Sequence, residues 1–254
     1  MYQAFKQLHE QATPLILGNV WDVNSAIALE QQGYQAIGTS SAAVAASLGV
    51  EDGEQLSFAA LFNVAQAIRA KTALPLTVDL EGGYSRDPSR IAKHIVDLCG
   101  IGVVGVNLED SVVTDGHRAL LEAEAFSHTI RAVKASLSEA GVEVFLNIRT
   151  DGFLLGVDNA LVQTQERGTL YEQAGADGLF VPCVTQTTDI EAVVNSTALP
   201  VNVMAMPDLP AFSTLQQLGV KRISFGPFLY NAVSRYVNDT LAVVEELRAF
   251  SPLF

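Results

Sequence analysis

The chain alternates from end to end between short apolar runs and longer stretches with helical spacing. The apolar, often β-branched runs predict buried strands at Leu15–Asn19, Tyr34–Thr39, Leu76–Asp79, Val103–Leu108, Val144–Arg149, Gly178–Val181, Val201–Met204 and Arg222–Phe225, eight in all. Helical periodicity falls near residues 23–32, 54–72, 87–100, 122–140, 158–174, 187–197, 208–218 and 229–250, again eight. Asp87-Pro88 puts proline at a first helical position, and Thr187-Thr188-Asp189 offers a cap. Gly33, Gly102, Gly141, Gly175 and Gly219 stand where helices would end and strands begin. Strict alternation of this kind implies a parallel sheet covered by helices. Eight such units in 254 residues predict a single α/β domain over residues 1–254, a closed (β/α)8 TIM barrel. An open doubly wound sheet is the alternative. The first strand, however, runs into Gly18-Asn19-Val20-Trp21-Asp22 and lacks the glycine-rich dinucleotide turn.

Composition narrows the function classes. A formal net charge of −13 repels nucleic acid phosphates and anionic lipid, so neither is expected as a partner. No apolar run approaches the roughly 20 residues of a membrane span. The two cysteines, Cys99 and Cys183, form no disulfide framework and no zinc spacing. The first ten residues are mixed and polar rather than leader-like, and a cytoplasmic location is expected. A chain that is 49% hydrophobic and only 17% charged also fits a homo-oligomer.

In a barrel, chemistry sits at the C-terminal ends of the strands. Those ends are polar here: Asn19 and Trp21-Asp22, then Thr39-Ser40-Ser41, Asp79 to Tyr84, Asn107 with Glu109 and Asp110, Asn147 with Arg149 and Asp151, Asn202, and Ser224. Asp79, Glu81 and Glu109 follow very apolar strands, and neighbouring strands lie about 5 Å apart. Carboxylates brought together repel one another, and a hard cation such as Mg²⁺ relieves that repulsion. The other reading makes them surface or helix-capping acids, and Asp110 a structural one. Arg149 can fork onto a substrate carboxylate, or it can pair with Asp151 or Glu109. Backbone N–H groups at Ser40 and Ser41 can hold an oxyanion. His117, on the loop after the fourth strand, can reach a site. Trp21, Tyr84, Asn107, Phe153, Cys183 and Asn202 are candidates to face the substrate or to pack. None of the five lysines ends a strand, which disfavours Schiff-base chemistry.

The strand-end segments resemble the isocitrate lyase/phosphoenolpyruvate mutase superfamily. They are Asn19-Val-Trp-Asp-Val-Asn-Ser-Ala26, Gly38-Thr-Ser-Ser41, Val78-Asp-Leu-Glu-Gly-Gly-Tyr84, Gly105-Val-Asn-Leu-Glu-Asp-Ser111, Asn147-Ile-Arg-Thr-Asp151, Ala174-Gly-Ala-Asp-Gly-Leu-Phe-Val-Pro182 and Ile223-Ser-Phe-Gly-Pro227, in family order over nearly the whole chain. The resemblance implies a barrel whose last helix is swapped between subunits, in a homotetramer built as a dimer of dimers. It implies a Mg²⁺-dependent reaction on a small 2-keto or 2-hydroxy carboxylic acid through an enolate. Asp79 would bind the metal, and Glu81, Glu109 and Asp52 would hold its waters. Arg149 and the Ser40/Ser41 backbone would bind the substrate. Two departures stand out. Lyases of the superfamily carry a cysteine-containing gating motif after the fourth strand, whereas this chain has Ser111-Val-Val-Thr-Asp-Gly-His-Arg-Ala-Leu120. Phosphonate-handling members carry Trp and His where Gly38 and Pro182 stand. An oxaloacetate-like substrate is therefore expected; the alternatives are a P–C bond enzyme and a non-catalytic keto-acid binder.

Overall fold

The computed structural model describes residues 1–254. In chain order the strands are β1 (Leu15–Val20), β2 (Ile37–Thr39), β3 (Leu76–Asp79), β4 (Val103–Glu109), β5 (Ser111–Thr114), β6 (His117–Leu120), β7 (Phe145–Arg149), β8 (Gly178–Val181), β9 (Val201–Met204) and β10 (Arg222–Ser224). The helices are α1 (Tyr2–Leu8), α2 (Val23–Gln31), α3 (Ser41–Ser47), α4 (Phe58–Arg69), α5 (Pro88–Gly100), α6 (Ala123–Glu139), α7 (Gly152–Leu155), α8 (Ala160–Gln173), α9 (Thr187–Asn195), α10 (Phe212–Gln217) and α11 (Phe228–Leu247). Eight parallel strands close into a barrel in the order β1-β10-β9-β8-β7-β4-β3-β2, while β5 and β6 form a separate hairpin. The barrel strands are the eight read from the sequence. β3, β4 and β8 are buried at every position, as a strand covered on both faces must be.

Local chemistry sets the joints. Asp22 and Ser25 exchange hydrogen bonds as a capping box at the start of α2. Asp87 caps α5, with Pro88 in its first turn. The five glycines marked as helix ends all take positive φ, for example +79° at Gly33 and +92° at Gly102.

The barrel interior is part apolar and part polar. At its N-terminal end, α1 acts as a plug. Phe5 is fully buried and packs with Leu15, Leu17, Val104 and Phe145. His9 stacks on Phe145 at 4.3 Å, its Nδ1 lying 3.0 Å from the Phe5 carbonyl oxygen. Above the plug lies a polar layer. Asn147 Nδ2 donates to Asn107 Oδ1 at 2.9 Å and to Asn202 Oδ1 at 3.2 Å. The buried Arg222 donates from Nη2 to Asn107 Oδ1 at 3.4 Å. Glycines make room for this layer: a Cβ on Gly178 would sit 2.8 Å from Asn147 Oδ1 and 2.9 Å from Phe145 Cε1.

Several elements differ from the sequence reading. The polar N-terminus is α1, because three apolar side chains, Tyr2, Phe5 and Leu8, fall on its inward face. The stretch read as a loop after β4 is a hairpin with Asp115 and Gly116 both at positive φ, as a tight two-residue turn requires. The long helix expected over 54–72 is the shorter α4, and α3 and α7 are additional. The terminal helix α11 buries none of its residues and leaves Val233, Val237, Leu241, Val243 and Leu247 exposed. No helix is long and apolar enough to cross a membrane.

The plug makes stability depend on pH. Burial, and next to it the charge of Arg222, hold the His9 imidazole down to about 3, against 6.5 for the free group. Below 6.5 the unfolded chain takes up a proton that the folded chain refuses. The contribution is therefore intact above that pH and is lost as the pH falls toward 3. His9→Phe removes this titration and keeps the stacking. Urea melts between about pH 7 and pH 4 should show a shallower loss of stability for His9→Phe than for the parent. Equal slopes would contradict this role for His9.

Candidate active site

At the C-terminal mouth of the barrel lies a cavity of about 360 Å³. Strand ends supply Asn19, Asp79, Asn107, Arg149, Phe180, Met204 and Ser224 to its lining. The loops and short elements above add Ser40, Ser41, Asp52, Arg118, Leu154, Pro182 and Pro227. Its floor is the amide layer that Asn107 shares with Asn147 and Arg222.

Asp79 ends β3 with its backbone N–H donating to Thr39 Oγ1 at 2.9 Å. Its Oδ2 accepts the Ser41 N–H at 3.2 Å, and its Oδ1 is buried with no partner. Asp52 faces the same cavity; burial, and then the charge of Asp79, raise its pKa. Glu81 sits at φ +49° and accepts the N–H groups of Gly53 (2.9 Å) and Glu54 (2.6 Å) and the Tyr84 hydroxyl (2.7 Å). Burial, and next the charge of Asp52, push its carboxyl up to about 7. Glu81 thus ties the segment carrying Asp52 to the end of β3.

Glu109 ends β4, 3% exposed, between two guanidiniums. Arg118 Nη1 donates to its Oε1. Arg149 Nη1 lies 3.1 Å from its Oε2, out of line for a hydrogen bond. Burial raises the Glu109 pKa against the pull of both arginines. Asp151 fixes Arg149 from the side, through Nε at 2.6 Å and Nη2 at 3.2 Å. Asp151 is held in turn by the Ser111 hydroxyl, and its own N–H donates to Asp110 Oδ1 at 3.0 Å. Asp110 is fully buried on Arg167 (3.0 Å) and the Tyr171 hydroxyl (2.8 Å), which makes it structural.

These placements correct parts of the sequence reading. Asp79, Asp52, Ser40, Ser41, Asn107 and Arg149 meet in one cavity. Arg149 is already paired with both Asp151 and Glu109, the pairing that the alternative reading named. The Ser40 N–H belongs to the sheet, on the Val20 carbonyl, and the Ser41 N–H is taken by Asp79, so neither amide is open to an oxyanion. His117 lies exposed at the hairpin tip, opposite Thr114. Adjacent strand residues face opposite ways, so it is Arg118 that turns into the cavity. Tyr84 spends its hydroxyl on Glu81, Trp21 packs edge-on against Tyr230 at 5.2 Å, and Asn202 is tied into the amide layer through Asn147. None of these three lines the cavity. Arg118 is the residue the sequence reading missed; the turn pair Asp115-Gly116 signals the hairpin that carries it.

The acids Asp79, Glu81 and Glu109 do not converge on one point as a ready metal cage. Glu81 and Glu109 are engaged by N–H donors and guanidiniums. Asp79, with its Oδ1 unpartnered, is the one cavity-lining acid with a free buried carboxylate oxygen, and Asp52 lines the same cavity. Four carboxylates (Asp52, Asp79, Glu109, Asp151) surround two arginines, leaving negative charge in excess. That donor set fits Mg²⁺, which takes one or two carboxylates directly and keeps waters for the rest.

A family model described as phosphoenolpyruvate phosphomutase matches residues 5–245. An uncharacterized protein of Mycobacterium tuberculosis is 34% identical over 90% of this chain and 84% of its own. The 2-methylisocitrate lyase of Escherichia coli is 29% identical over 84% of this chain and 73% of its own. A Burkholderia cenocepacia structure, provisionally assigned as a phosphonomutase, superposes with a TM-score of 0.89 at 38% identity, covering 95% of this chain and 98% of that one.

Proposed function

The chain belongs to the phosphoenolpyruvate phosphomutase family, within the isocitrate lyase/phosphoenolpyruvate mutase superfamily, and from that membership we propose that it is a Mg²⁺-dependent lyase or decarboxylase of a small, oxaloacetate-like 2-keto or 2-hydroxy acid. One observation carries the reading: Asp79, whose Oδ1 has no partner within the protein, lines the same small cavity as Arg118 and Arg149. Metal-binding and carboxylate-binding chemistry therefore share one wall.

Asp79 would hold Mg²⁺ directly, with Asp52 on the same cavity to hold its waters, while Glu81 fixes the segment that carries Asp52 and Glu109 fixes the arginines. When bound, the ion supplies a Lewis acid for charge that develops on the keto oxygen. The protein supplies the rest. Arg149, pre-set by Asp151, binds the substrate carboxylate. Leu154, Phe180, Pro182, Met204 and Pro227 form an apolar wall that keeps water from the reacting carbons. For a 2-keto diacid, the C–C bond to the distal carboxylate breaks and CO2 leaves. The bonding electron pair stays on the pyruvate fragment as an enolate, and its carbon then takes up one proton.

A second reading, P–C bond chemistry, is favoured by the provisional assignment of the 38% identical Burkholderia relative. The same experiment separates the two. Incubation with a panel of 2-keto and 2-hydroxy acids and Mg²⁺ should release pyruvate, and Asp79→Ala should lower the rate by about 10²–10³-fold. Unchanged turnover in Asp79→Ala would contradict the site. No pyruvate from the panel, together with a changed phosphorus NMR spectrum for phosphonopyruvate, would replace the lyase reading with the phosphonate one.

The exposed apolar face of α11 supports the swapped, homotetrameric arrangement as part of this proposal. Light scattering on the eluting protein should give the mass of four chains. The mass of one chain would contradict it.

A further inference from the structure

Arg118 stands in the stretch where the chain departs from its superfamily, and the hairpin carries it into the cavity. Its Nη1 donates to Glu109 and, at 2.9 Å, to Ser111 Oγ; its Nη2 reaches Asp52 at 3.3 Å. Its Nε makes no hydrogen bond within the protein and is not among the buried unsatisfied atoms. Glu109 holds Arg118 on one oxygen and Arg149 on the other. The two guanidiniums therefore flank a single carboxylate, and both line the one cavity. A four-carbon diacid carries two carboxylates on one short carbon segment, one for each cation. The apolar wall of Phe180, Met204 and Leu154 faces the same space and suits the short carbon segment between them.

We propose that Arg118 is the specificity-determining residue of this site, receiving the second carboxylate of a four-carbon 2-keto diacid while Arg149 holds the first. This rests on the lyase reading above and deepens it. A diacid meets a fixed cation at each end. A ligand that fills only the enolate half, as oxalate does, leaves Arg118 with nothing but its resident carboxylates, so the difference between the two ligands falls on this one side chain. The other role open to Arg118 is that of a latch that pins the hairpin to Glu109. A latch serves every ligand alike.

Calorimetric binding of two probes, each with Mg²⁺, separates these roles. Oxalate mimics the enolate half of the reaction. 3,3-Difluorooxaloacetate is a four-carbon diacid. The variants are Arg118→Ala, Arg118→Lys and, as a control in the same hairpin, His117→Ala. Arg118→Ala should weaken the diacid by about 10–100-fold, the loss of one charge-assisted hydrogen bond, and leave oxalate within about threefold. Arg118→Lys should recover part of the loss, and His117→Ala should change neither probe. Equal weakening of both probes by Arg118→Ala makes Arg118 a latch and overturns the assignment. No weakening of either probe overturns it as well. Failure of oxalate to bind the parent protein overturns the lyase reading, and the assignment falls with it.

Discussion

Glu109 sits at the top of β4 with almost no exposure and a guanidinium on each side, and the upper half of the barrel is arranged around it. A buried carboxylate is tolerated only when paired, and removing one member of such a pair costs roughly 3–5 kcal/mol. The pairing spreads outward in order. Arg149 is steadied by Asp151, Asp151 by Ser111 and the Asp110 backbone contact, and Asp110 by Arg167 and Tyr171. The chain of charges crosses from β4 to β7 to α8. It fixes Arg149 in place before any substrate arrives, which is the pre-organisation a carboxylate site needs. The hairpin reaches the same network through Arg118, which also lines the cavity.

Support from below is of a different kind. The barrel carries a layer of amides and one buried arginine where many barrels carry branched apolar residues. Burial lowers the Arg222 guanidinium to about 9, partly offset by the field of Asp79. Gly178 leaves room for Asn147 and Gly105 for Phe5, and α1 seals the opposite end with Phe5 and His9. The floor under Asn107 is thus hydrogen-bonded rather than greasy, and polar side chains at the cavity base are held in single orientations.

Much of this was legible in the sequence. β-branched runs and glycine stops betray strands buried on both faces, because such strands tolerate few other residues; all eight barrel strands follow from them. Asp79, Asn107 and Arg149 stand out because a polar residue closing a buried strand must find a partner or a ligand. What stayed hidden depends on the third dimension. The α1 plug is short and mostly polar, and its three apolar residues, Tyr2, Phe5 and Leu8, are too few to show where it packs. Whether His117 or Arg118 enters the cavity turns on a one-residue register in the hairpin, which spacing after β4 does not set. Glu81 and Tyr84 belong to a strap rather than to the cavity because backbone N–H groups of a distant loop, Gly53 and Glu54, reach Glu81 first. The apolar face of α11 marks the place where a single chain ceases to account for its own pattern.

The central claim is that Asp79 and its neighbours form a site for a divalent cation and an enolate-like anion together. A thermal melt with Mg²⁺ alone, oxalate alone and both tests it most directly. The account predicts a large upward shift only when both are present, because each ligand completes the charge balance for the other. No shift with both, in protein that melts cooperatively, would contradict it and leave the barrel without this chemistry.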